Sequence, residues 1–240
     1  MTTPTRKRSG FTLIELLTVI AIIGILAAVL FPGVQGVMQK AKMSTASTKV
    51  RNIAQAYMSF SSEGKNIKKA SWSPSANSSA NKIWEWAQVL AYNVDFNTAE
   101  LWYVDTDPKN ETVVALPKQV ITGSGLTASP DPKFSSPSPE NGYQAWTAYV
   151  PVSKNLKETM PLIWTRGLGT DGAWTAEDGV WGSKGGHIAW GDSHVTWLSD
   201  TSSTDNQFTS RKGDGTTSPD WNEAVTATGG TPATELSSTK

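Results

Sequence analysis

One carboxylate, Glu15, sits inside the run FTLIELLTVIAIIGILAAVLF, where 17 of the 21 residues from Phe11 to Phe31 are apolar. Within a membrane helix a lone carboxylate costs about 2.5–3.5 kcal/mol on insertion scales, so Glu15 requires a partner of opposite charge. The other residues with chemical potential lie far along the chain. His187, Asp192 and His194 are metal-ligand types. With a turn at Asp192-Ser193, however, Trp190 pairs with Val195 and Ile188 with Trp197, which sets the two imidazoles roughly 13 Å apart, too far to share an ion. Gly167-Leu-Gly-Thr-Asp-Gly172 spells a dinucleotide fingerprint. It opens into Ala173-Trp-Thr and more turns, with no helix to cap a pyrophosphate, and so reads as a loop. Asp171, Asp178 and Asp200 occupy Gly-rich loops whose oxygens suit a structural Ca²⁺, although EF-hand spacing is missing. No G-x-S-x-G elbow occurs, and no nucleophile, base and oxyanion donor converge, so an enzyme is not expected, nor a cofactor other than that calcium.

The elements that must position Glu15 follow from hydropathy. About 20 residues at roughly 1.5 Å each cover a bilayer core, so Phe11–Phe31 is long enough to span one as a helix. Arg6, Lys7 and Arg8 precede it, and a basic flank stays on the cytoplasmic side, which sends everything after Phe31 outward. The remaining chain is polar, with 21 basic against 21 acidic residues in 240, which argues against a nucleic-acid binder driven by bulk positive charge. Without cysteine there is no disulfide framework and no thiolate metal site. The eleven tryptophans either fill the core of a modest polar body or build a carbohydrate platform on a membrane-anchored binding module.

KRSGFTLIELLTVIAIIGILAAVLFP resembles the N-terminus of type IV prepilins and type II secretion pseudopilins: basic leader, Gly-Phe junction, Thr-Leu-Ile-Glu, then the apolar run. The resemblance implies cleavage between Gly10 and Phe11 by a membrane-embedded prepilin peptidase, N-methylation of Phe11, and Glu15 as the assembly glutamate. It further implies a structural filament subunit, of a type II secretion system or alternatively a surface pilus. Its partners would be the lipid bilayer, an inner-membrane assembly platform, its own copies and other pseudopilins. The subunit would cross the bacterial inner membrane once, with a periplasmic head, and be extractable into the filament. Major pseudopilins of this family hold Ca²⁺ in a C-terminal loop. GGHIAWGDSHVTWL is also similar to the closing hairpin of prepilin-like proteins from Planctomycetes and Verrucomicrobia, with Ser193 and Gly182 as departures.

Gly24 and Pro32 mark a kink or melted turn in the helix. Beyond it Ala46, Val50, Ile53, Tyr57 and Phe60 form one helical stripe, with Lys40, Lys42, Lys49 and Arg51 mostly off it. Asn81 to Tyr92 reads as a short helix with Ile83, Trp86, Ala87 and Leu90 inward. Strands are expected at Leu101–Val104, Thr112–Leu116, Tyr143–Val150 and Leu162–Thr165, before the hairpin. The expected fold is therefore α+β, pilin-like: a long N-terminal helix whose amphipathic second half packs on a small antiparallel sheet. The domains divide as leader 1–10, membrane helix 11–31, amphipathic helix 32–62, head 63–200 and polar tail 201–240, the tail mostly irregular and disordered from about Ala227.

Overall fold

The computed structural model describes residues 11–63, 82–150, 156–169, 171–199, 201, 208–209, 217–225 and 234–236. The chain divides into two compact units, Met1–Ser44 and Thr45–Lys240. Helix α1 (Leu13–Ser62) runs without a break through Gly24, Pro32, Gly33 and Gly36, so the expected melted turn is absent. A proline removes one hydrogen bond from a helix, and neighbouring turns keep theirs.

In the first unit the apolar side chains of α1 from Leu13 to Met38 are exposed. The helix contains an 18-residue window of mean hydropathy 2.8, long and apolar enough to cross a membrane.

In the second unit the α1 stripe is buried as its spacing predicts: Ala46, Val50, Ile53, Tyr57 and Phe60 are each at most 2% exposed. Lys49 corrects that reading. It is buried too, its Nζ donating to the Tyr103 carbonyl at 3.1 Å, with Glu100 at 3.6 Å and Asp105 at 3.8 Å. A lysine stem can cover apolar surface when its ammonium finds oxygens, and those partners lie more than fifty residues on.

Helix α2 (Ile83–Val94) buries Ile83, Trp86, Ala87 and Leu90, the expected face. Rings then link the layers: Tyr57 lies 5.2 Å from Trp86, and Trp86 packs edge-on to Trp102, which in turn packs edge-on to Phe134. Two expected strands do not form. Ala99–Trp102 is a 3-10 turn that buries Trp102, and Thr112–Leu116 is irregular, with Val114 exposed to solvent. Short apolar runs do not distinguish a strand from a tight helical turn, and β-branched residues make a strand only beside a partner. A small antiparallel ribbon pairs β1 (Ile121–Thr122) with β2 (Ser129–Pro130).

The main sheet contains β3 (Trp146–Val150), β4 (Pro161–Thr165), β5 (Gly186–Trp190), β6 (Val195–Leu198) and β9 (Thr234–Leu236). Its order is β6-β5-β4-β3-β9, and every pairing is antiparallel. Strands β4 and β5 are buried throughout. The remaining pieces, β7 (Phe208–Thr209), β8 (Thr217–Ser218) and α3 (Trp221–Val225), pack on one sheet face, where Trp164, Ile188, Trp190, Phe208, Trp221 and Val225 form a cluster. Within the stretch expected to be an irregular tail, the described residues Phe208, Trp221 and Val225 join this core, and β9 pairs with β3. A handful of large rings supplies the burial that a polar composition conceals.

The β5–β6 hairpin forms, but one residue out of the expected register. Ala189 pairs with Val195, Ile188 with Thr196 and His187 with Trp197. Gly191, Asp192 and Ser193 make a three-residue loop: Ser193 N–H donates to the Trp190 carbonyl, and Ser193 takes φ 69°. Such a loop is a turn followed by one left-handed residue, a place usually held by glycine. Because side chains alternate, the one-residue slip puts Trp190 and Trp197 on opposite faces.

Candidate functional site

Phe11 and Glu15 lie at the start of α1, and Gly10 lies outside the described residues. Thr12 precedes the first helical residue, and its side chain and that of Glu15 cap the helix reciprocally. Glu15 Oε2 accepts from the Thr12 backbone N–H at 2.9 Å and from its hydroxyl at 2.6 Å. Thr12 Oγ1 accepts from the Glu15 N–H at 3.3 Å. This capping box satisfies two helix-end donors and places a carboxylate at the positive end of the helix dipole. The Thr-x-x-Glu spacing carries that signal in sequence, and reading Glu15 only as an insertion penalty missed it. The Thr12 bonds run to Oε2, which leaves Oε1 for a further donor. Gly24 and Pro32, the expected kink, lie within the unbroken helix.

The other candidates separate. His187 is buried between Trp181 and Trp197, with ring centroids 6.2 and 4.9 Å away. Burial pushes its pKa down to about 4, so it is neutral at physiological pH. His194 lies at the hairpin turn, stacked on Trp190 at 5.6 Å and bonded through Nδ1 to Asp192. Desolvation alone would raise the Asp192 carboxyl, but the backbone N–H and ring of His194 hold it below its ordinary value. The slipped register places the two histidines on opposite faces of the hairpin, so they share no site.

Asp178 pairs with the Lys109 ammonium, and Asp171 caps its own turn by accepting from the Ala173 N–H at 3.1 Å. Asp200 lies outside the described residues. Among the described residues no group of three or more His, Asp or Glu side chains converges to hold a metal. In the Gly-rich stretch, Gly167 takes φ 100° and passes against Gly179. Of the ten described tryptophans, eight are buried and only Trp84 and Trp197 are half-exposed, which removes the tryptophan platform.

The N-terminal cap on an apolar helix is thus the site with a defined geometry. A family model described as the prokaryotic N-terminal methylation motif matches residues 5–31. The type IV major pilin protein PilA of Myxococcus xanthus is 46% identical over 57 residues, covering 24% of this chain and 26% of that protein. The type II secretion system core protein G of Pseudomonas aeruginosa is 45% identical over 51 residues, covering 21% of this chain and 36% of that protein. The chain thus spans only a minor part of the length of these curated relatives, and no solved structure matches it significantly. The N-terminal segment carries that methylation motif and is similar to the corresponding segments of a type IV pilin and a type II secretion core protein.

Proposed function

We propose that this chain is a structural, non-enzymatic subunit, cut by a prepilin peptidase between Gly10 and Phe11, methylated on Phe11, and added with its copies to a helical filament. The observation that carries this reading is Glu15, a carboxylate capped by Thr12 within a membrane-grade helix. Cleavage frees an amine at Phe11, and Glu15 Oε1 of an adjacent copy is its natural partner. In a low-dielectric bundle a lone ion is costly, while a matched pair is held strongly. A contact from Glu15 of one copy to Phe11 of the next repeats without closing, which builds an open filament. Before extraction the subunit crosses the inner membrane once, with Arg6, Lys7 and Arg8 inside and the second unit in the periplasm.

We assign the filament to type II secretion, in line with the similarity to core protein G. The match to PilA favours a second reading, a surface pilus for adhesion or motility. Glu15→Ala tests the reading: cleavage persists and filaments vanish, whereas normal filament yield contradicts it. Deleting the gene separates the two systems, since lost protein secretion with intact surface fibres fits the first and the reverse fits the second.

A further inference from the structure

The chain leaves α2 through Asp95, whose backbone sits in the left-handed region at φ 58°. Glycine adopts that conformation freely and is the usual choice just past a helix, whereas Asp tolerates it at a cost. Two residues on, Asn97 ties this exit to the β1–β2 ribbon. Its Oδ1 accepts from the Val120 and Ile121 N–H groups at 3.0 and 2.8 Å, and its Nδ2 donates to the Ile121 carbonyl at 3.0 Å. An open cavity of about 400 Å³ lies between the helix exit and the ribbon.

The lining selects a ligand class. Among the described residues no Lys, Arg or His borders the cavity, and the last turn of α2 brings the negative end of a helix dipole, so an anion finds no counter-charge there. One exposed carboxylate in water holds a cation weakly. Tyr92 presents a half-exposed ring, Ile121 and Ala128 give apolar floor, and Asp95 and Ser124 offer oxygens at the rim. That set matches a molecule with an apolar C–H face and several hydroxyls to donate. The volume falls near the low end of the roughly 300–1,000 Å³ typical of small-ligand sites.

We infer that the cavity between the α2 exit and the β1–β2 ribbon binds a neutral sugar unit, with the Asp95 carboxylate accepting its hydroxyls and the Tyr92 ring supporting its C–H face. This site is independent of filament assembly.

The test uses the full chain extracted in detergent, titrated by calorimetry with neutral methyl glycosides and short neutral oligosaccharides. A sialylated oligosaccharide and spermidine serve as the anionic and cationic probes. Saturable binding of a neutral sugar is expected. Asp95→Gly should weaken it by about tenfold or more while leaving the melting temperature unchanged or higher, because glycine relieves the left-handed strain. Tyr92→Ala should weaken it as well. The inference is overturned by no saturable neutral-sugar binding at millimolar concentration, by undiminished binding in Asp95→Gly, or by binding confined to spermidine or the sialylated probe.

Discussion

Arg166 grips Asp107 with two bonds from Nη2, at 2.6 and 2.8 Å, and both side chains are almost wholly excluded from water. Both other guanidinium nitrogens donate as well, Nη1 to the Gln144 carbonyl at 2.7 Å and Nε to the Asp178 carbonyl at 3.0 Å. One side chain at the end of β4 therefore holds three loops together. Breaking such a pair leaves an uncompensated buried charge, so Asp107→Ala should lower unfolding free energy by about 3–5 kcal/mol. Replacing both partners with apolar residues, Asp107→Leu with Arg166→Met, should recover part of that loss. Denaturation followed by tryptophan fluorescence reads both, and an unchanged midpoint in Asp107→Ala would contradict the assignment.

Gly167 is required by backbone contact. A Cβ there would lie 2.4 Å from the Gly179 Cα, at a φ of 100° that side chains avoid. Gly167→Ala should cost roughly 2–3 kcal/mol, and nucleotides should neither bind nor rescue it. Thermal unfolding with and without ATP or NAD checks this.

His187 makes stability depend on pH. Its folded pKa of about 4 lies below the ordinary histidine value, so the unfolded chain binds the extra proton between the two. The stabilisation is complete above about pH 6.5 and declines as pH falls toward 4, by roughly 3 kcal/mol. His187→Phe should flatten that slope between pH 6.5 and 4. An identical slope in the variant would assign it to other groups.

Lys49 should be hard to replace by a small residue. Lys49→Ala removes an apolar stem from the buried stripe of α1 and leaves the Tyr103 carbonyl without its ammonium. A loss of about 1–3 kcal/mol is expected, with Lys49→Met recovering the packing share. Equal stability of all three proteins would show that the contact contributes nothing.

Local periodicity made the helices legible in sequence: the stripe from Ala46 to Phe60 and the inward face of α2 are where the spacing puts them. Glu15 stood out because a carboxylate within an apolar run is costly to insert, whereas the Gly10–Phe11 junction is what the resemblance to prepilins implies. What escaped depends on distant partners or single backbone angles. Ser193 in a left-handed conformation slips the hairpin by one residue, and no letter short of glycine announces that angle. Lys49 is buried because oxygens from residues 100–105 reach it, and Phe208 and Trp221 belong to the core because the sheet face was short of rings. The Thr12–Glu15 cap could have been found from its spacing alone.

The account stands or falls on whether processing frees an amine for Glu15 to meet. Intact-mass and N-terminal peptide spectrometry of the protein from its native host, beside a strain lacking prepilin peptidase, reads this directly. The expected product begins at Phe11 and carries one methyl group, while the peptidase-deficient strain retains residues 1–10. Mature protein that still carries Gly10 in the native host would contradict it.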